Sequence, residues 1–434
     1  MMKNGRCKTV RSLVAMAMAL LVLPASAATV PDPLPDPDGK PADMSKPVQV
    51  FILLGQSNMV GAGKIAGDKE GTLEHAVKAK QKYPYLVDDA GSWTERRDVR
   101  YVRVMGSGTA RMKQFNNEWM TIKGRSIGPE YGIGHYVGHA VDAPVMILKS
   151  CIGNRSLGWD LLPPGSQRFE YGEKIYAGYK DSPASWDKGT EPKPMGWYAG
   201  MQYDGDVANA KKVLAELDKY YPGARGFEVA GFFFWQGDKD RYNAAHASRY
   251  ELNLVRFIMQ LRKDFNAPGA KFVCATLGQT KKNAGGNEGK ILQAQLAVDG
   301  RSGKYPEFKG NVATVYSSPF CHGGASNSHY GGNAETYMDV GEAMGRAMAA
   351  LLRNQVKAGA AAARPIDDKK AKILDQNLTR RLTIAKNYLK SGSMPNARRI
   401  LSDLAKKWPD TPQGKEAAQL LEAAAGEKAT VGAP

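Results

Sequence analysis

Five short apolar runs constrain this chain more than anything else in it: VQVFILL (48–54), PVMILKS (144–150), EVAGFFFW (228–235), KFVCATL (271–277) and NVATVY (311–316). Each is shorter than a typical buried helix and lacks the polar alternation of a half-solvated strand. Each therefore reads as a strand buried on both faces. Helical patterns lie between them at about 128–140, 205–220 and 244–264, and another follows at about 333–353. Strands alternating with helices imply βαβ crossovers, and hence a mainly parallel sheet with helices on both faces. The expected fold class is α/β, a three-layer α/β/α sandwich. In such sheets ligands bind at the carboxyl ends of the strands, so chemistry is to be sought just after each one.

Composition divides the rest of the 434 residues. Residues 1–27 carry Lys3, Arg6, Lys8 and Arg11, an 11-residue apolar run from Leu13 to Leu23, and then Ala25-Ser26-Ala27. That is the layout of a signal peptide, and the run is too short to span a bilayer. A mature chain starting near Ala28, exported to the periplasm or beyond the cell, is expected. Cys7 lies before the apolar run, so it is not placed like a lipid-modified cysteine. Residues 28–47 hold six prolines and read as a linker with little to bury. The main domain is expected over 48–353, and 354–366 (NQVKAGAAAARPI) reads as a small-residue linker. Residues 367–426 space apolar residues for a small helical tail, and YLKSGSMPNARRILSDLAKKWPDTP resembles tetratricopeptide-type helices. One such unit cannot form a solenoid, so the tail either packs on the main domain or binds a partner.

The net charge of +17 is uneven: residues 1–27 contribute +4, residues 353–434 +8, and the 325 residues of 28–352 only +5. That last surplus is too dilute to argue for nucleic acid. The basic tail is where a protein or anionic surface would bind. No other long apolar run exists, so no membrane span is expected. Beyond the leader, Cys151, Cys274 and Cys321 allow at most one disulfide, so the fold rests on its core.

The strand ends carry a constellation. The first run leads into Gly55-Gln56-Ser57-Asn58-Met59, where a sharp glycine turn lifts Ser57 to the top of the sheet. The second leads into Cys151-Ile152-Gly153-Asn154-Arg155-Ser156, and the third into Gln236-Gly237-Asp238-Lys239-Asp240. Acyl transfer needs a nucleophile, a base and fixed donors for the oxyanion. Ser57 is the candidate nucleophile, and the N–H groups of Ser57 and Gly153 with the amide of Gln236 are candidate oxyanion donors. The candidate base is His329, in a loop after the last strand, with His322 its nearest rival. Asn58, Trp159 and Trp235 are candidate substrate contacts.

GQSNM, the Gly-x-x-Ser and Gln-Gly-x-x-Asp blocks, and a histidine followed by NAETYMDVGEAMG together resemble the SGNH-hydrolase superfamily. Within it the likeness is to the sialate O-acetylesterase-like group, carbohydrate esterase family six, over about residues 48–352. The resemblance implies the SGNH-hydrolase (flavodoxin-like) sandwich and hydrolysis of O-acetyl esters on carbohydrates. It implies Ser57 as nucleophile, Gly153 and Gln236 as oxyanion donors, and His329 as base, without metal or cofactor. Two departures stand out. Members often have an aspartate three residues before the histidine, where this chain has Ser326; the orienting acid then falls to Asp238, with Asp240 second. Asn154 also stands where a second glycine is usual.

Two motifs compete with this reading. Gly124-Arg125-Ser126-Ile127-Gly128 matches the α/β-hydrolase elbow, but the residues before it are too polar for a central strand and Pro129-Glu130 suits a helix start. His135 and His139 have zinc-ligand spacing, but Tyr136 stands where a zincin has glutamate, and a structural helix face is the better reading. Between the second and third strands, residues 159–203 form an aromatic-rich insertion; such rings suit pyranose faces or glue the insertion to the domain. The expected enzyme is an exported serine esterase acting on an acetylated glycan such as acetylxylan or a sialate. The alternatives are a same-fold esterase for lipid or other acyl esters, and a non-catalytic glycan-binding protein.

Overall fold

The computed structural model describes residues 34–358, 368–391, 393–409 and 411–426, so the leader and most of the small-residue linker lie outside the described residues. Seven strands form the central sheet: β1 (Val48–Gly55), β2 (Arg96–Met105), β3 (Lys113–Met120), β4 (Val145–Ser150), β5 (Phe227–Trp235), β6 (Lys271–Ala275) and β7 (Val312–Val315). Their order is β7-β6-β5-β1-β4-β2-β3, and every neighbouring pair is parallel except the antiparallel β2–β3. The five strands legible as apolar runs are β1, β4, β5, β6 and β7, adjacent to one another.

Alternate residues of these strands feed two cores. Phe51, Leu53, Ile147, Phe233 and Val273 pack with Val137 of α2 (Glu130–Ala140) and Met338 and Met344 of α6 (Ala334–Ala358). Val50, Ile52, Leu54, Phe232 and Phe234 face the other layer. There they meet Val213 of α3 (Met201–Ala215), Phe257 of α4 (Ala244–Asp264) and Ile291 of α5 (Gly286–Ala297). Burying one such side chain stabilises the fold by about 1.5–3 kcal/mol, which is why the runs are apolar on both faces. This is the expected three-layer sandwich.

The hairpin β2–β3 has no apolar run because it lies at the sheet edge and three residues of β3 are exposed. Its inward arginines have partners: Arg96 pairs with Asp98 at 2.6 Å, and Arg100 Nε donates to Tyr220 O at 3.1 Å. The proline-rich segment is not wholly a free tether, since Leu34 is buried in the first core and Lys46 pairs with Asp142 at 2.9 Å. Helix α6 runs past the expected domain end to Ala358. Cys151, Cys274 and Cys321 are free thiols. Among the described residues no helix is long and apolar enough to cross a membrane.

The tail forms α7 (Asp368–Lys390), α8 (Met394–Lys407) and α9 (Pro412–Gly426). Leu378, Leu382, Ala385, Leu401, Leu404 and Ala417 give it a core of its own. Arg380 pairs with Asp89 of the main domain at 3.2 Å, but the arginine is exposed, and such pairs contribute at most about 1 kcal/mol. A chain ending at Ala358 should therefore fold on its own. Thermal unfolding of the two chains checks this, and an unfolded truncation would make the tail part of the main core.

Candidate active site

β1 ends at Gly55 with φ 146°, where a Cβ would lie 2.4 Å from Trp235 O; the turn after the strand therefore needs glycine. Gln56 is buried, donates its N–H to Trp235 O at 3.2 Å, and accepts at its side-chain oxygen from Gln236 Nε2 and Lys239 N–H at 3.1 and 3.2 Å. Ser57 then opens the single-turn α1 (Ser57–Val60). It is half-buried, and its hydroxyl makes no hydrogen bond with another described residue. As the first residues of a helix, Ser57 and Asn58 have N–H groups with no acceptor inside it.

β4 ends one strand away, and its loop brings Gly153 against the serine: a Cβ there would stand 3.4 Å from Ser57 Cβ. Asn154 follows at φ 56°, a left-handed conformation that asparagine tolerates better than most side chains, so the turn survives without a second glycine. Next, Arg155 donates from Nε to Gln202 Oε1 at 3.0 Å and covers the Trp197 ring at 5.0 Å.

The expectation for Gln236 is corrected by its bonds. Its amide nitrogen already donates to Asp240 Oδ2 at 2.6 Å, Arg155 O at 2.9 Å and Gln56 Oε1 at 3.1 Å, while its oxygen accepts from Tyr250 at 2.7 Å. Two N–H bonds serving three acceptors leave none for an oxyanion. Gln236 instead ties the serine turn, the Gly153 loop and the β5 loop together. Asp240 completes the clamp by accepting from Leu157 N–H and Gly158 N–H, both at 2.8 Å. Burial pushes its carboxyl up to about 6 against the pull of those donors.

His329 stands in the 326–332 loop after β7, half-buried, and α1 packs against that loop. His329 and Tyr330 have φ 53° and Gly331 φ 63°, three left-handed residues in succession. For the two non-glycines this costs about 1–3 kcal/mol each, so the surroundings must hold the loop. They do so with aromatic rings. Tyr330 is fully buried and stacked on Trp235, with centroids 5.8 Å apart, and meets Tyr337, whose hydroxyl donates to His329 O at 3.3 Å. Trp235 is thus no substrate contact, contrary to expectation. It is 1% exposed and donates from its indole to Thr276 O at 3.0 Å, forming the floor of the histidine loop. Tyr330 carries no motif of its own, and Tyr337 lies within the NAETYMDVGEAMG block; their nearness to His329 in the sequence was the signal for both.

The imidazole of His329 makes no hydrogen bond with another described residue, so Asp238 is not bonded to it. Asp238 is nearly buried and accepts from Arg241 Nε at 2.8 Å and from the Ser326 hydroxyl. The carboxylate grips the histidine loop through Ser326, the residue standing where an aspartate was expected.

Most rings of the insertion serve the insertion. Three short strands, Phe169–Tyr171, Lys174–Tyr176 and Ser185–Asp187, form a sheet over a core that includes Leu162, Trp186 and Ala199. Tyr179 and Tyr198 both donate to Asp204, at 2.6 and 2.9 Å. Trp159 is half-buried against that core, and Trp197 is half-buried beneath Arg155. Asn58 is 2% exposed, and its side-chain oxygen has no partner. The competing Ser126 lies in a two-residue strand paired antiparallel with Gly63–Lys64, outside the central sheet. His135 is buried against the Tyr85 ring at 4.7 Å, as a core residue.

Residues 182–350 match the family described as carbohydrate esterase, sialic acid-specific acetylesterase. Over those residues the chain is similar to carbohydrate acetylesterases, which are carboxylic ester hydrolases. The matched segment holds Gln236, Asp238 and His329 and stops short of Ser57 and Gly153. No curated protein matches the chain. Among solved structures, the chain is similar to a protein from Arabidopsis thaliana at 17% identity and TM-score 0.40, covering 70% of this chain and 98% of that one. It is also similar to a carbohydrate acetylesterase from Xanthomonas citri at 14% identity and TM-score 0.40, covering 68% of this chain and 54% of that one. A third, NanS, is 13% identical with TM-score 0.37, covering 72% of this chain and 99% of that one.

The Asp240 clamp gives the chain a testable pH dependence. Its carboxyl is raised from 3.8 to about 6 in the folded chain, so its contribution to stability is present below pH 4 and lost as pH rises through 6. Relative to Asp240→Asn, the wild type should lose about 3 kcal/mol of stability between those limits. Denaturant melts at pH 4 and pH 7.5 measure it, and a stability difference that does not change with pH would refute the assignment.

Proposed function

We propose that the chain is an exported serine acetylesterase that removes O-acetyl groups from a glycan through an acetyl-enzyme. The observation that carries the reading is Gly153 facing Ser57 across two adjacent strand ends, with the His329 loop packed on the serine's own turn. Ser57 Oγ attacks the acetyl carbonyl while His329 takes its proton. The oxyanion forms beside the N–H groups of Ser57 and Gly153, the donors left once Gln236 is occupied. His329 then protonates the departing sugar hydroxyl, and water, activated by the same imidazole, hydrolyses the acetyl-enzyme.

Asp238 orients the loop rather than the imidazole, so the chemistry runs as a serine–histidine pair with the acid one step removed. Trp159 and Trp197 of the insertion are half-buried, the latter beneath Arg155, and rings of this kind suit a sugar face with a polar rim. Export rests on the charged, apolar and small-residue order of residues 1–27.

Ser57→Ala should lower hydrolysis of 4-nitrophenyl acetate by about 10³-fold or more, while Ser126→Ala leaves it intact. The reverse result would move the nucleophile to the other motif. Acetate release from acetylated xylan, acetylated pectin and O-acetyl sialic acid, beside a medium-chain acyl ester, identifies the substrate. Faster turnover of the acyl ester than of every glycan would overturn the glycan assignment.

A further inference from the structure

Beneath the serine turn lies an ion pair that the proposed chemistry does not use. Lys149 in β4 is 0% exposed and Glu130, the first residue of α2, is 2% exposed. The Lys149 ammonium donates to Glu130 Oε2 and, at 3.0 Å, to the carbonyl of Val60, the last residue of α1. The other oxygen of Glu130 accepts from Gly128 N–H at 3.0 Å and the Tyr101 hydroxyl at 3.3 Å. Gly128 closes over the group: a Cβ there would lie 2.5 Å from Glu130 Oε2, 2.9 Å from Lys149 Nζ and 3.0 Å from Val60 O. Opposite it, Gly61 sits at φ 95°, where a Cβ would lie 2.3 Å from Gly128 Cα. The glycine ending the 124–128 motif thus serves this packing and not a nucleophile elbow.

A buried ion pair is often no more stabilising than apolar residues of the same size, so its presence calls for a role other than stability. A single helical turn cannot hold itself together, and its last carbonyls have no partner within it. In α1 the C-terminal end is held by the Lys149 ammonium, and the N-terminal end is Ser57. We propose that Lys149 is a positioning residue for the esterase: by gripping Val60 O it fixes α1, and with it both the Ser57 hydroxyl and the Ser57 N–H. The inference rests on Ser57 being the nucleophile. Attack and oxyanion stabilisation both follow substrate binding. Loss of the grip therefore lowers kcat and leaves KM, and a displacement of roughly 1 Å at reacting atoms costs about 10²-fold.

The test compares Glu130→Gln, which keeps the Lys149–Val60 bond, with the double variant Lys149→Met/Glu130→Gln, which removes it without leaving a buried charge. With 4-nitrophenyl acetate, the double variant should have kcat about 10- to 100-fold below that of Glu130→Gln, with KM within about twofold and an unchanged melting temperature. Equal kcat in the two folded variants would overturn the inference. Should the double variant fail to fold, Gly128→Ala presses a methyl into the same three atoms; the same kcat-only loss supports the inference and an unchanged kcat overturns it. Ser57→Ala in the same assay separates the two failures. A dead Ser57→Ala beside a fully active double variant overturns the role of Lys149 alone, whereas an active Ser57→Ala removes the nucleophile and the inference together.

Discussion

Everything at the site depends on the register of β1 between β4 and β5. The parallel ladders pair Leu53 with Lys149 on one side and Gly55 with Trp235 on the other. Three strands therefore stop at nearly the same height, and the residues after them, Ser57, Gly153 and Gln236, emerge side by side. A one-residue slip of β1 would send Phe51 and Leu53 to the layer that holds Val50, Ile52 and Leu54, exchanging its two faces. The cores on both sides of the sheet thus enforce the alignment of the site. Gln236 and Asp240 fix what the ladders leave loose by bonding the three loops to one another.

The histidine is placed by a different kind of force. No strand pairing holds residues 326–332, and successive left-handed residues would relax in a free loop. Aromatic stacking of Tyr330 on Trp235 and the contact with Tyr337 hold it from below. From the side, Ser326 is bonded to Asp238, which is itself paired with Arg241. A carboxylate beside an imidazole would favour one tautomer and stabilise the cation. Here the carboxylate acts on the backbone that carries the imidazole, so orientation comes from loop rigidity.

The five buried strands were legible because burial on both faces leaves no polar position, a pattern that no surface element shares. Helix α4 was legible to its ends, Ala244–Asp264, while the expected 205–220 helix begins earlier, at Met201, and breaks at Glu216. The hairpin β2–β3 and helix α5 were not legible: charged and polar residues in them are satisfied by partners distant in the sequence, and a local pattern cannot see those partners. The same reason explains the errors at the site. Ser57, Gly153 and His329 could be placed because turn chemistry and strand ends are local. Gln236 and Trp235 also lie at a strand end, but their side chains are spent on Asp240, Arg155, Thr276 and Tyr330, contacts that only the folded chain reveals.

Polar groups without solvent lie beneath this site: the Lys149–Glu130 pair, the Gln236–Asp240 clamp and the Gln202–Asp206 bond at 2.7 Å. In place of the Lys149–Glu130 pair, apolar side chains of equal volume would often hold the fold as well. What the polar groups add is direction. A hydrophobic contact tolerates a sliding of several tenths of an ångström, whereas a buried hydrogen bond weakens steeply with misalignment and so fixes the loop it touches. Lys149 grips the serine turn, Asp240 grips the loop that carries Gly153, and Gln202 grips Arg155 on that loop through a bond at 3.0 Å. The three grips converge on the turns that carry the two proposed oxyanion donors, and an oxyanion hole works only where its donors are aimed before the charge appears.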